Sequence, residues 1–145
     1  MQFICKNFPE LTTSELYDIL KARCRIFVVE QTCPYQDVDG VDPAALHLFF
    51  RDETGLTAYL RMFPRPGHPD DVQIGRVLTV KRGVGLGAKL MSEAVRAAAE
   101  YFPGKSLFLE AQVQAIGFYE KSGFLTEGQE FLEDGIPHIG MRLKL

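Results

Sequence analysis

The sequence predicts an α/β domain in which one mixed sheet carries helices on both faces. Two observations predict it. Hydrophobic residues fill 46% of the 145 positions and no Pro/Gly/Ser-rich linker parts the chain into halves, so one sizeable core forms. The local patterns then run helix, three strands, helix, strand, helix, two strands, and such layers close around a sheet covered on both sides.

Thr12 to Val28 reads as the first helix. Thr12 and Glu15 have capping-box spacing, and Leu16, Ile19, Leu20 and Phe27 recur on one face. Gln31 to Pro43 is polar and turn-rich, an ordered loop or short helix near a site. His47 to Phe50 and Leu56 to Phe63 are strands joined through Asp52-Glu53-Thr54-Gly55, with Gly55 free to take the positive φ of a tight turn. The prolines of Pro64 to Asp71 make a loop, and Val72 to Val80 is the third strand. Arg82 to Gly87 is a glycine-rich turn. Behind it, Leu90 to Ala99 is an Ala-rich helix with Leu90, Met91, Ala94, Val95 and Ala98 buried. Leu107 to Ala111 is nearly all apolar, as in the middle of a sheet. Ala115 to Ser122 is a short helix stopped by Gly123, and Phe131 to Leu145 is a hairpin turning at Asp134-Gly135. In its last strand Ile139, Met141, Leu143 and Leu145 face one way, and His138, Arg142 and Lys144 the other.

Composition excludes several classes. The formal charge is -3 and the basic residues are scattered, so no nucleic-acid surface is expected. No window approaches the ~18 apolar residues of a membrane span, and the first residues carry no basic region followed by an apolar run. Cys5, Cys24 and Cys33 show no CxxC spacing and cannot all pair. A reducing, cytoplasmic setting is the expectation.

Arg82-Gly83-Val84-Gly85-Leu86-Gly87-Ala88 lies between a strand and a long helix. Alternate glycines let backbone approach a bulky ligand, and the helix start offers unpaired N–H groups and a positive dipole end. Arg82 adds a cation. This is a phosphate or pyrophosphate seat. A nucleoside-triphosphate loop needs GxxxxGK followed by Ser or Thr, which is absent, and the G-x-G-x-x-G of dinucleotide folds is also missing. Too little chain follows for several further βα units. The pyrophosphate of coenzyme A suits the turn better.

One strand further on stands Ala115-Ile116-Gly117-Phe118-Tyr119-Glu120-Lys121-Ser122-Gly123-Phe124. The pair of motifs, in this order, resembles the two CoA-binding motifs of the GNAT superfamily of N-acetyltransferases, and element order agrees from about residue 1 to 145. A closer resemblance, to the ElaA subfamily, runs through Arg23 to Gln31, Cys33 to Asp37, Ile74 to Val77 and Asp134 to Met141. The resemblance implies a single GNAT-like acyl-CoA N-acyltransferase domain, its sheet mixed and mostly antiparallel. It implies acetyl-CoA as cosubstrate and no metal. Arg82, Gly83, Val84, Gly85, Leu86, Gly87 and Ala88 would hold the pyrophosphate, and Leu78, Thr79 and Val80 the pantetheine arm and thioester carbonyl. Phe118 would belong to the cofactor site, and Tyr119 would protonate the departing thiolate. Gln112 stands where Asn is common in the family, and could still bond backbone or pantetheine.

Acyl transfer to an amine also needs a base. Glu110, on the strand beside the cleft, and His138, off the apolar face after Pro137, are the candidates. Glu110 could instead pair with Arg76, as could Glu30. His47 reads as structural, His68 carries little weight, and Cys33 lacks a histidine at nucleophile spacing. Asp37, Asp39, Asp42 and Glu30 are either an acidic patch that attracts a cationic amine or a solvated loop. The acceptor could be polyamine-like, an amino sugar, an antibiotic-like amine or a protein amino group. A monomer or a homodimer is compatible with the exposed edge strands. The rival from another class is an acyl-CoA-binding sensor or interaction module without turnover. An NAD-dependent oxidoreductase conflicts with the missing glycine pattern.

Overall fold

Thr12 opens the first helix as its spacing to Glu15 predicts. The Glu15 N–H donates to Thr12 Oγ1 at 3.1 Å, and the Thr12 N–H donates to Glu15 Oε1 at 2.8 Å. The computed structural model describes residues 1–145. The helix, α1 (Thr13–Arg23), continues into a π-helical turn at Cys24–Glu30 rather than running on as one α-helix. Its buried stripe also departs from the apolar spacing. Glu15, Ile19 and Arg23 are buried, whereas Leu16 and Leu20 are half-buried. A reading of hydrophobic period alone passes over two of those positions because they are charged.

The strands are β1 (Gln2–Asn7), β2 (Leu46–Asp52), β3 (Gly55–Pro64), β4 (Asp71–Thr79), β5 (Ser106–Gln112), β6 (Leu125–Glu133) and β7 (Ile136–Lys144). They form one sheet in the order β1-β2-β3-β4-β5-β7-β6. Every pairing is antiparallel except β4 with β5. β1 is an addition to the expected elements. It is a short edge strand whose Phe3 and Ile4 pack on opposite faces, so it shows no clean alternation. β6 begins six residues before the predicted Phe131. It is exposed throughout and bulged between Glu127 and Phe131, which removes the apolar pattern that would mark it.

Helices α2 (Leu86–Tyr101) and α3 (Ile116–Glu120) cover one face of the sheet. Leu90, Met91, Ala94 and Ala98 pack there on Leu48, Leu60, Ile74 and Leu107 in the main core. α1 and the π-helical turn cover the other face, with Ile19 and Ile26 on Phe49, Tyr59 and Leu78. Each buried Leu, Ile or Met among these contributes roughly 1.5–3 kcal/mol by leaving water. No helix is long and apolar enough to cross a membrane.

The middle of the sheet is incomplete. β4 and β5 pair only from Asp71 opposite Ser106 to Ile74 opposite Leu109. Asp71 pins the closed end. It accepts from Arg65 Nη1 at 2.8 Å and from Arg142 Nη1 at 2.6 Å. Beyond Ile74 the strands part. Arg76 there has φ +55°, a costly left-handed conformation for a side chain of its size, and the β3–β4 register shifts beside it.

Ion pairs hold that bulge. Arg76 Nε donates to Asp37 Oδ1 at 2.8 Å and its Nη2 to Asp39 Oδ2 at 3.2 Å. Asp37 also takes Arg23 Nε at 2.8 Å, and Asp42 takes Arg23 Nη1 at 2.6 Å and Arg61 Nη1 at 3.0 Å. Arg61 completes the set by donating to both Asp39 oxygens, at 2.9 and 2.7 Å. Arg76 therefore pairs with neither Glu110 nor Glu30. The early acids are not a free patch for an amine, because three arginines neutralise the three aspartates. Burial raises the Asp42 carboxyl, but hydrogen bonds and charge from Arg23 and Arg61 outweigh it and leave it below its usual value. His47 is structural, as expected. It sits between Tyr59 OH at 2.7 Å and the Asp42 carbonyl at 3.0 Å, and burial lowers its pKa.

Arg23→Ala leaves Asp37 and Asp42 buried without their main partner, and is expected to lower unfolding free energy by about 3–5 kcal/mol in urea titration. The sign of the pH dependence follows from Asp39 and Asp42, both held below the ordinary carboxylate value in the folded state. Their stabilisation is present above about pH 4 and is lost as pH falls through the lowered values. Wild-type urea midpoints should drop in that acid window, and those of Arg23→Ala should drop less. Equal stability of the two proteins at neutral pH would contradict the buried pairing.

Candidate active site

Where β4 and β5 part, a cleft of about 520 Å³ opens. Gly75, Leu78 and Thr79 line one wall, and Glu110, Gln112 and Tyr119 the other. Leu78 is anchored in the core beneath α1. The Val80 N–H donates back to the Thr57 carbonyl at 2.7 Å. Strand backbone groups alternate in direction, so the N–H and C=O of Thr79 turn toward the gap that β5 has left. Of the three residues expected to serve a ligand by backbone, Val80 thus has its donor engaged.

The glycine turn sits at the mouth of this gap. Gly83 and Gly85 both have φ +77°, in the region side chains avoid. Gly85 is the cap of α2, which starts at Leu86, four residues before the predicted start. The first intrahelical bond reaches Gly85 from Lys89, at 3.3 Å, so the N–H groups of Leu86, Gly87 and Ala88 are free for an anion. No acidic residue stands in that first turn to oppose one. Arg82 is exposed and its Nη2 donates to Glu30 Oε2 at 2.8 Å. Gly87 is needed for another reason. A Cβ there would stand 2.9 Å from the Phe118 ring, so the glycine turn and the second motif are in direct contact.

Tyr119 is nine-tenths buried on α3, and burial pushes its hydroxyl up to about 12. His138 is equally buried and faces the cleft, directly opposite Gln112 in the β5–β7 pairing. Its Nδ1 lies 2.7 Å from the Ile136 carbonyl, and a carbonyl only accepts, so Nδ1 carries the proton. Nε2 lies 3.7 Å from Glu133 Oε2. Glu110 is half-buried, with one hydrogen bond, from Gln73 Nε2 at 3.2 Å. Gln112 accepts from Gln114 and donates to Gln31 Oε1 at 3.1 Å.

Comparison with known proteins places this geometry. The acetyltransferase (GNAT) domain family matches residues 22–145. The chain belongs to the GNAT family. It is similar to protein ElaA of Escherichia coli strain K12, 40% identical over 139 residues that cover 93% of this chain and 91% of that protein. The crystal structure of Escherichia coli ElaA superposes with a TM-score of 0.91 at 37% identity, covering 98% of this chain and 99% of the other. An acyl-CoA N-acyltransferase from Pseudomonas aeruginosa gives the same TM-score at 41% identity, with the same coverage. Acyl-CoA-dependent N-acyl transfer is the chemistry this family supports.

In this GNAT domain the residues singled out in the sequence do not all meet. Leu78, Thr79, Arg82, Glu110, Gln112, Tyr119 and His138 share the cleft, whereas Val84 is exposed on the glycine turn and Ala88 in the first turn of α2. Phe118 meets Gly87 behind it. His68 lies outside, in the turn between Arg65 and Asp71. Three contributors escaped the sequence reading. Arg61 and Gln73 project from strands, and Glu133 from the last hairpin. Arg61 carried a usable signal, since a lone cation within Leu60-Arg61-Met62-Phe63 must find acids in the interior. No three His, Cys, Asp or Glu side chains converge as a metal site.

Gly87→Ala drives a methyl group into the Phe118 ring, and is expected to lower thermal stability by about 1–3 kcal/mol. Phe118→Leu in the same chain should recover part of that loss. Additive effects in the double mutant would show that the two motifs do not touch.

Proposed function

We propose that the chain transfers the acetyl group of acetyl-CoA directly to a primary amine. The observation that carries this reading is one cleft that Thr79, Arg82, Tyr119 and His138 share, with the Thr79 strand edge on one wall, Tyr119 on the other, and the start of α2 packed beside it through Gly87 on Phe118. The free N–H groups of α2 fit the pyrophosphate, and the unpaired strand edge fits the amides of a pantetheine arm. The Thr79 N–H can polarise the thioester carbonyl as negative charge develops on it. The family description, an acetyltransferase domain, supports acetyl as the group moved.

The proton path uses two groups. Nε2 of His138 takes the proton of the attacking amine, and Glu133, 3.7 Å away, favours the imidazolium that results. Tyr119 gives its proton to the departing thiolate. Its hydroxyl makes no hydrogen bond within the protein, and desolvation keeps it protonated far above neutral pH. As thiolate charge develops beside it, the donor is in place without reorganisation.

Release of CoA thiol from acetyl-CoA across a panel of amines tests the reading. Tyr119→Phe and His138→Gln should each lower kcat by about 10²-fold while CoA binding persists. Because Tyr119 titrates only at about 12, kcat/KM should rise with pH and show no descending limb below about pH 10. Glu30→Gln frees Arg82 for the pyrophosphate, and since that pair is exposed it should tighten CoA binding only about two- to fivefold. Thiol release unaffected by either cleft substitution would refute the assigned roles, and a chain that binds no CoA would refute the function.

A further inference from the structure

The charges at the acceptor end of the cleft do not balance. Arg61 and Arg76 line it, yet both are consumed by Asp37, Asp39 and Asp42. Glu110, Glu133 and Asp134 line the same end, and no Lys or Arg pairs with any of them. The nearest titratable base is His138, whose Nδ1 is fixed on a carbonyl and whose Nε2 makes no hydrogen bond within the protein. Glu110 is held by a neutral amide alone, that of Gln73. A second feature points into the same space: the His138 side chain that lines it is nine-tenths buried, and no protein donor or acceptor occupies its Nε2 within hydrogen-bond distance.

A carboxylate half-buried in a cleft needs a counter-charge, and the reacting amine supplies none at the moment of transfer because it attacks as the neutral base. Once His138 has taken that proton, the imidazolium answers Glu133 and leaves Glu110 still uncompensated. Resting on the transferase reading above, we infer that the acceptor is an amine carrying a second positively charged group, which Glu110 holds while the first amine reacts beside His138. Attack forms the C–N bond, the C–S bond breaks, the amine proton passes to His138 and the Tyr119 proton to sulfur. The second cation remains charged throughout.

Calorimetric titration of the CoA-saturated protein with 1,4-diaminobutane, 1-aminobutane and 4-aminobutanoate tests this without requiring turnover. The diamine is expected to bind at least about tenfold more tightly than the monoamine, a difference of ~1.4 kcal/mol, and the anionic amine to bind weakest. Glu110→Gln should bring the ratio of diamine to monoamine affinity toward one, and Glu110→Asp should retain a preference. Equal binding of diamine and monoamine by the wild type, or no binding of any of the three, would overturn the inference. So would an unchanged ratio in Glu110→Gln. Diamine-selective binding with no thiol release from acetyl-CoA would sink the transferase reading while leaving Glu110's role intact. Release on a monoamine with no diamine preference would do the reverse.

Discussion

The site depends on a charge network that the fold has placed out of water. Arg23 is fully buried at the end of α1, a position that would cost several kcal/mol if the guanidinium were alone. Asp37 and Asp42 answer it, and they are brought there by an irregular loop between the π-helical turn and β2. The same two acids, with Asp39, bind Arg61 from β3 and Arg76 from β4. One cluster therefore ties α1, the loop and two central strands together. Its strongest structural consequence is at Arg76, whose left-handed backbone is tolerated because its guanidinium is held from outside the strand.

That bulge lies where β4 leaves β5. At the other end of the strand Asp71 locks β4 to β7 through Arg142, so the pair opens at one end only. The opening direction puts the exposed strand edge beside the N-terminus of α2, and the contact of Phe118 with Gly87 fixes α3 against that terminus. Tyr119, next along α3, is carried to the gap by the same packing. The α2 N-terminus, the strand edge and Tyr119 are thus positioned by neighbouring contacts.

Much of this was legible in the residues. The capping pair Thr12 and Glu15, the glycine turn and the motif from Ala115 to Phe124 each report local backbone needs, and local needs are what sequence spacing encodes. The GNAT resemblance and the mixed sheet followed from them. What stayed hidden was long-range. The partners of Asp37 lie 14 and 39 residues away, at Arg23 and Arg76, and no periodicity links them. β1 and β6 were missed or shortened because edge strands bury too little to alternate clearly. The acids of the early loop looked available for substrate for the same reason: their counter-ions sit on other elements.

A sheet that stops pairing halfway across its centre leaves its two lobes joined by only a short seam. β1 to β4 form one lobe and β5 to β7 the other, and beyond Ile74 no backbone ladder joins them, only side-chain contacts such as Gln112 with Gln31 and Phe118 with Gly87. A cosubstrate lying in that gap as an extra strand would complete the missing backbone pairing and close the molecule on itself. Occupancy and folding are then linked. At a concentration a hundredfold above Kd such a ligand adds about 2.7 kcal/mol of stability, so in a cell the supply of its thioester would also set how resistant this chain is to unfolding and proteolysis.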